Sequence, residues 1–312
     1  MNVVLVFPGQ GSQKPGMAKD VAEAFPAARA VLDAADKALG VPLSTLMFDG
    51  PAEELTLTHN AQPALFAHGA AVWAAVKEEL QSKVVAAAGH SLGEFTAYHA
   101  AGSLSVEDAV RLVRRRGELM YETGVKRPGA MAALLGETSR PIEEICDEAT
   151  KAAGTVVPAN FNCPGQVVIS GESAGVDKAM ELAKASGAKR AIRLNVSGAF
   201  HSPLMEPARD GLREALATVQ FRDPAFDVYA NVNGQAVRDA ATARQRLLDQ
   251  LVSPVRWTEE VTEMARRHPD ATFVEMGPGN VLAGLVKKIA PGVKTMTCGT
   301  AAEVNQLLEA SQ

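Results

Sequence analysis

The residues most able to do chemistry lie in Gly89-His90-Ser91-Leu92-Gly93, which matches the pattern G-x-S-x-G. An apolar segment with the character of a buried strand precedes the motif, and a helical segment follows it. Small residues around a serine at such a turn allow the tight bend of a nucleophile elbow, which presents the hydroxyl and places the next backbone amide near a developing oxyanion. The alternative is a glycine-flanked turn whose serine only caps the helix. The strand-helix context favours Ser91 as a nucleophile.

A serine nucleophile needs a base, and the sequence contains six histidines. His201 lies in a loop before a helix that Pro203 can open, which is a frequent setting for a functional residue. The sequence therefore ranks His201 ahead of the other five. Four of these are interpreted as follows: His68 and His99 as members of apolar helical segments, His90 as a supporting residue pointing away from the serine, and His268 as a solvated residue.

Arg116 falls on the apolar stripe of a helix that begins after a capping Ser105. Arg114 and Arg115 project elsewhere and are expected to be solvated. An arginine on a buried face needs an anion, because it does not lose its proton in a protein. Arg116 either pairs with a carboxylate of the chain itself, or extends its guanidinium to the surface, or binds a substrate carboxylate bidentately, and the residues alone leave these open.

The loop Pro8-Gly9-Gln10-Gly11-Ser12-Gln13 follows the first strand. Its two glycines allow a ligand to approach the backbone closely, and its amide groups could complete an oxyanion hole. The alternative is an ordinary turn between a strand and a helix. The loop is not a dinucleotide-binding fingerprint, because Lys14 stands where the third glycine would be, and no Walker A motif occurs in the chain.

Elements of an α/β fold position these residues. Apolar runs at 2–7 and 83–88 predict buried strands, and the segments 18–38, 61–80 and 92–101 predict helices. Strands separated by helices indicate a mainly parallel sheet that is covered on both faces.

Residues 129–194 have a different order of predicted strands and helices. Their order of strands and helices is β-α-β-β-α-β, the ferredoxin-like unit; the predicted segments are Ala130–Leu135, Ser139–Ala152, Thr155–Phe161, Gln166–Ser170, Ala174–Ser186 and Ala188–Leu194, with a hairpin turn at Asn162–Gly165. The sequence thus predicts a small domain at 127–195 inserted into a body formed by 1–126 and 196–312.

Composition narrows the class of protein. The 312 residues are 47% hydrophobic, enough for a sizeable core, and 31 basic against 36 acidic residues give a net charge of −5. This charge argues against a generally basic nucleic-acid surface. Three cysteines without C-x-x-C spacing argue against a disulfide framework or a zinc site. With neither a secretory signal pattern nor an 18-residue apolar run, we expect a cytoplasmic protein with no membrane or nucleic-acid partner.

Taken together, these segments resemble the malonyl-CoA:acyl carrier protein transacylase family. The matching motifs occur in family order along almost the whole chain; they are Phe7–Gln13, Gln62–Ala64, Gly89–Glu94, Arg116–Gly117, Gly129–Ala133, Asn160–Asn162, Pro164–Val168, Phe200–Ser202, Ser253–Trp257 and Glu275–Gly279. The resemblance implies an α/β-hydrolase-like body with a ferredoxin-like insert, as predicted above.

The resemblance also implies a role for particular residues. Ser91 is the expected nucleophile and His201 its general base and acid. The other implied roles are an oxyanion hole from the backbone amides of Gln10 and Leu92, a grip on the malonyl carboxylate by Arg116, orientation of the histidine by the backbone carbonyl of Gln250, and an acyl pocket lined by Asn162. In related polyketide acyltransferases Ala-Phe-His accompanies malonyl, so Phe200 is expected to crowd a branched acyl group.

The activity that follows is transfer of malonyl from malonyl-CoA to the phosphopantetheine thiol of an acyl carrier protein, through a malonyl-serine and without a cofactor. The carrier proteins of this family are acidic, so we expect a basic docking patch; the candidates are Lys126-Arg127, Lys189-Arg190 and Lys287-Lys288. Three alternatives stay open: an acyltransferase of a polyketide synthase or of malonate decarboxylase, a serine esterase or thioesterase, and a non-catalytic binding module.

Overall fold

The structure is a computed structural model that describes residues 1–196 and 198–312. Within those residues the strands are β1 (Val3–Phe7), β2 (Val84–Gly89), β3 (Ala130–Leu135), β4 (Val156–Cys163), β5 (Gln166–Gly171), β6 (Arg190–Arg193), β7 (Asp227–Tyr229), β8 (Ala236–Val237), β9 (Thr272–Met276) and β10 (Lys294–Cys298). They form a six-stranded sheet and a four-stranded sheet.

Helices surround both sheets. In chain order they are α1 (Lys19–Ala24), α2 (Pro26–Leu39), α3 (Leu43–Asp49), α4 (Ala52–Thr56), α5 (Thr58–Leu80), α6 (Leu92–Ala100), α7 (Val106–Lys126), α8 (Ile142–Ala153), α9 (Ser173–Ala185), α10 (Glu206–Thr218), α11 (Ala240–Gln250), α12 (Trp257–Arg267), α13 (Val281–Ile289) and α14 (Ala301–Ser311). Two short 3-10 helices cover Gln81–Lys83 and Pro203–Met205.

The large sheet has the order β10-β9-β1-β2-β7-β8, and every pair in it is parallel except β7 with β8. All five residues of β1 are buried, and successive side chains point to opposite faces. Leu5 and Phe7 pack in the core beneath α5 and α6, whereas Val4 and Val6 pack with residues of α12 and α13. The prediction of a mainly parallel sheet covered on both faces is therefore confirmed.

The small sheet has the order β4-β5-β3-β6 and is antiparallel throughout. Helices α8 and α9 pack on it around a separate apolar cluster that includes Ile145 and Val176. The β-α-β-β-α-β order is confirmed. The hairpin is shorter than predicted, because β4 continues to Cys163 and only Pro164 and Gly165 form the turn. The domain limits at 127 and 195 stay a prediction.

Several helix boundaries differ from the predicted ones. The segment 18–38 is two helices, separated at Phe25, because Pro26 begins the second one. The helix predicted at 61–80 begins at Thr58 and holds Pro63 in an early turn. The helix predicted from Ser139 begins at Ile142, after the extended Pro141. Helices α3, α4 and α11–α13 and strands β7–β10 were not predicted. Ser105 caps α7 as expected, since its side chain accepts a hydrogen bond from the Asp108 amide.

None of the helices in the described ranges is long and apolar enough to cross a membrane. The three cysteines are free thiols and all are buried.

Candidate active site

Ser91 occupies a sharp turn between β2 and α6. Its φ of 52° and ψ of −103° are unusual for a residue with a side chain, and such conformations concentrate at functional sites. The turn depends on two glycines: a Cβ at Gly93 would lie 2.0 Å from the Phe7 carbonyl oxygen, and one at Gly89 would lie 1.9 Å from the Gly93 carbonyl carbon. The Ser91 amide donates to Asn231 Oδ1 at 2.8 Å, which fixes the turn from outside.

His201 stands directly opposite the serine. Its Nε2 lies 2.7 Å from Ser91 Oγ, and its backbone also has a positive φ, 56°. Nδ1 lies 3.0 Å from the carbonyl oxygen of Gln250 and 3.2 Å from that of Ser253, so Nδ1 carries the proton and Nε2 is free to accept one from the serine hydroxyl. Burial, followed by the charge of Arg116, lowers the pKa of His201 to about 3. The imidazole is therefore neutral near pH 7, the form that a general base requires.

Arg116 is the buried cation of the site, and only 1% of it is exposed. It donates to Gln62 Oε1 at 2.7 Å, to Gln250 Oε1 at 2.8 Å and to Ser91 Oγ at 3.1 Å. Its Nε has no hydrogen-bond partner, and no carboxylate of the described residues pairs with it directly. Burial lowers the pKa of Arg116 to about 10, which leaves it charged at neutral pH. A buried guanidinium that is bonded only to neutral groups is suited to an anionic ligand.

The arginines before Arg116 behave differently from one another. Arg115 is 45% exposed, as expected of a solvated residue. Arg114 is only partly exposed and donates to the His59 carbonyl and to Asn60 Oδ1, because it lies over the start of α5. The prediction that Arg114 is solvated is wrong.

A cavity of about 360 Å³ joins these groups. Ser91, His201 and Arg116 all line it, and so do Gln10 and Leu92. In the described part of the chain no acceptor takes the backbone amide hydrogen of Gln10 or of Leu92, whereas that of Ser91 is taken by Asn231. The predicted oxyanion hole has both of its amides at the cavity, and its role stays a prediction.

Asn162 does not lie where the sequence placed it. Asn160, two residues earlier on β4, lines the cavity, and Asn162 is not among the described residues that do. The Asn162 side chain instead accepts a hydrogen bond from His90 Nε2 at 2.8 Å, one layer behind the serine. A register irregularity in β4 between Phe161 and Cys163 separates the settings of the two asparagines. Phe200 does line the cavity, and its ring is buried.

Of the other histidines in the described residues, only His90 lines this cavity. His68 is buried in α5, and its Nε2 contacts the Gly299 carbonyl oxygen at 2.9 Å. His268, which the sequence placed in solvent, is half-buried at the end of α12. His90 is half-buried beside Trp257 and its Nε2 donates to Asn162, so it has the supporting position that was predicted.

A buried polar network behind the serine escaped sequence reasoning. Gln250 Nε2 donates to Glu94 Oε2 at 2.6 Å and to the Ser91 carbonyl at 2.9 Å. Asn231 Nδ2 donates to the Gly89 carbonyl at 2.8 Å and to Glu260 Oε1 at 2.9 Å. Burial raises the pKa of Glu94 to about 7 and that of Glu260 well above its usual range. Only the place of Glu94 on the first turn of α6 offered a signal in the sequence.

One family model, described as the acyl transferase domain, matches residues 4–303. The chain belongs to the acyl transferase family. Among curated acyl transferase relatives, the malonyl CoA-acyl carrier protein transacylase of Bacillus subtilis is 47% identical over 94% of this chain and 92% of its own length.

Solved acyl transferase structures share the whole fold. The acyl-carrier-protein-S-malonyltransferase of Bartonella henselae superposes with a TM-score of 0.94 at 42% identity, covering 100% of this chain and 99% of that one. A malonyl-transacylase solved in complex with a holo acyl-carrier protein of a type II polyketide synthase has a TM-score of 0.93 at 40% identity, covering 99% of this chain and 100% of that one. These relatives confirm the predicted fold class.

Proposed function

We propose that the chain transfers a malonyl group from malonyl-CoA to the phosphopantetheine thiol of an acyl carrier protein, and so supplies fatty acid synthesis in the cytoplasm. The observation that carries this proposal is a buried arginine, without a carboxylate partner in the described residues, that touches the hydroxyl of a serine-histidine pair. The names of the relatives agree with it, since they are malonyl transacylases at 39–47% identity.

Acylation begins when Ser91 Oγ attacks the thioester carbonyl carbon of malonyl-CoA. His201 Nε2 takes the hydroxyl proton, and the charge left on the ring is stabilised by the Gln250 carbonyl at Nδ1. The carbonyl oxygen becomes an oxyanion that faces the amides of Gln10 and Leu92. As the carbon-sulfur bond breaks, His201 returns the proton to the departing CoA sulfur, which leaves malonyl on Ser91.

Deacylation repeats these steps in reverse with a different thiol. The phosphopantetheine thiol of the carrier protein gives its proton to His201 and attacks the malonyl ester, and Ser91 regains its proton as the ester bond breaks. A thioester and an acyl-serine are close in free energy, so the exchange is reversible. The proposal includes no cofactor, since the CoA thioester is itself the substrate.

The choice of acyl group follows from two neighbours of the serine. Arg116 lines the cavity beside Ser91 and would bind the malonyl carboxylate, and an acyl group without a carboxylate would leave that buried charge without an anionic partner. Phe200 lines the same cavity and would crowd an α-methyl branch. We therefore expect malonyl-CoA to be preferred over methylmalonyl-CoA, and comparable kcat/KM values for the two thioesters would contradict this assignment.

A polyketide pathway is the second candidate. It is favoured by one observation, the 40% identical relative that was solved with a polyketide carrier protein. The chemistry at Ser91 would be unchanged and only the carrier protein would differ, so the two candidates separate when carrier proteins of both kinds are compared as acceptors.

Intact mass spectrometry tests the proposal directly. Wild-type protein mixed briefly with malonyl-CoA should gain the mass of one malonyl group, and added holo carrier protein should remove it. Ser91→Ala should gain nothing. Free malonate released without a carrier would make the protein a hydrolase, and the absence of both adduct and turnover would refute the acyltransferase.

A further inference from the structure

Glu94 is a fully buried carboxylate that the mechanism above does not use. It lies on the first turn of α6, behind the serine and outside the described lining of the cavity. Its Oε2 accepts from Gln250 Nε2 at 2.6 Å and from the Asn231 amide at 3.1 Å. Its Oε1 is buried and has no partner in the described residues. Burying such a carboxylate costs free energy unless a nearby opposite charge compensates it.

The side chain of Gln250 links this carboxylate to Arg116. Its Oε1 accepts from Arg116 Nη2 at 2.8 Å, while its Nε2 donates to Glu94 and to the Ser91 carbonyl. The amide can stand only one way round, because an arginine donates hydrogen bonds and never accepts them. The result is an anion and a cation joined through a single neutral amide.

We propose that Glu94 is a positioning residue that sets the selectivity for a carboxylated acyl group, as a counter-charge held one amide away from Arg116. A direct pair would occupy the guanidinium, and the substrate carboxylate would have to displace it. The relay through Gln250 compensates the buried charge, leaves Arg116 Nε without a partner in the described residues, and leaves Nη2 bonded only to neutral groups, Gln250 Oε1 and Ser91 Oγ. This inference rests on the proposed function, because it concerns how the same arginine receives malonyl.

The negative charge of Glu94 is expected to depend on pH. Burial raises the pKa of Glu94 to about 7, against the hydrogen bonds from Gln250 and Asn231 and the charge of Arg116, which lower it. The unpartnered Oε1 can hold the proton without disturbing Oε2. Among the neighbouring titratable groups, burial lowers the pKa of His201 to about 3 and raises the pKa values of Glu260 and Tyr98 well above their usual ranges. Glu94 is therefore charged above pH 7 and neutral below it.

Removing the charge should strengthen the grip on malonyl. In Glu94→Gln an amide oxygen can still accept both hydrogen bonds, so the geometry is kept while the negative charge beside Arg116 is lost. At pH 8.5 we expect the KM for malonyl-CoA to fall by about fivefold, which corresponds to roughly 1 kcal/mol. The inhibition constant of acetyl-CoA as a competitor should not change, because acetyl has no carboxylate for Arg116 to bind.

Glu260→Gln is the matched control. Glu260 is an equally buried carboxyl behind the same serine, but its partner is Asn231 rather than Gln250, so it is one side chain further from Arg116 than Glu94 is. We expect this substitution to leave the ratio of the malonyl-CoA KM to the acetyl-CoA inhibition constant unchanged. Thermal melts of both variants show whether the fold is retained.

The pH dependence of the wild-type protein tests the proposal without a variant. Its KM for malonyl-CoA should rise by about fivefold between pH 6 and pH 8.5, while the acetyl-CoA constant stays level. A malonyl-CoA KM that is independent of pH in the wild type, or equal changes in both constants in Glu94→Gln, would overturn the proposal. A wild-type protein that forms no malonyl adduct would refute the proposed function instead.

Discussion

At the scale of single residues, the planar geometry of the Arg116 guanidinium should contribute as much to malonyl-CoA turnover as its charge. One guanidinium donates to Gln62, Gln250 and Ser91 at once, and an ammonium cannot reproduce that planar arrangement. We expect Arg116→Lys to lower kcat/KM for malonyl-CoA by roughly 100-fold, since two charge-assisted hydrogen bonds are worth about 3 kcal/mol. Steady-state kinetics with Arg115→Lys as the exposed control checks this, and a loss below threefold would mean that charge alone suffices.

The pH dependence of acylation is a second prediction at this scale. Burial and the charge of Arg116 lower the pKa of His201 to about 3, so the ring stays unprotonated as the pH falls well below the usual histidine range. We expect kcat/KM for malonyl-CoA not to decrease between pH 7 and pH 5, measured by rapid quench of the malonyl-enzyme. A tenfold decrease per pH unit beginning near 6.5 would show that the histidine titrates normally.

Sequence reasoning reached the residues whose type and setting both carry chemistry. Ser91 was found from its flanking glycines and Arg116 from its place on an apolar stripe, while His201 was ranked first mainly by elimination. Asn231 and Glu260 were not found, because nothing in their local sequence marks them and their roles exist only after β7 and α12 pack against the elbow. The resemblance placed Asn162 at the acyl pocket, whereas Asn160 lines the cavity; the register shift between Phe161 and Cys163 is set by strand pairing and is not visible in the order of residues.

At the scale of elements, the crossing of β1 and α6 predicts how two glycines differ. A Cβ at Gly93 would meet the Phe7 carbonyl at 2.0 Å, whereas one at Gly284, on an exposed face of α13, would meet nothing within 4 Å. We expect Gly93→Ala to destabilise the protein by about 3 kcal/mol or more. Gly284→Ala should stabilise it by roughly 0.5–1 kcal/mol, because it reduces the freedom of the unfolded chain.

Urea unfolding of the two glycine variants makes the comparison. The decisive result is the sign of the change in unfolding free energy: equal effects of Gly93→Ala and Gly284→Ala would mean that α6 and β1 are not in the close contact described here.

Most strands and the longer helices were predictable because periodicity and proline mark them. Helices α3 and α4 were not, since their short segments carry no clear period and are fixed by packing on α2 and α5.

At the scale of the whole molecule, the acidic carrier protein that the resemblance implies would have to bring its phosphopantetheine group to the cavity despite the net charge of −5. Strand β6 is an edge strand of the small sheet, and Lys189 and Arg190 are exposed at its start. The chain runs from the end of this strand into 194–196, which line the cavity. A basic edge that leads into the mouth of the site is well placed to attract an acidic partner and orient it.

Charge reversal of this edge tests the docking prediction. We expect Lys189→Glu combined with Arg190→Glu to raise the KM for the carrier protein by about tenfold and to leave the KM for malonyl-CoA within about twofold, because steering charges act on the encounter and not on the acyl pocket. The control is Lys287→Glu with Lys288→Glu, which changes the net charge equally on the exposed end of α13. If the control raises the KM for the carrier protein and the β6 pair does not, the carrier docks beside α13. Added salt should weaken carrier binding in the wild type and have little further effect on the variant with Lys189→Glu and Arg190→Glu.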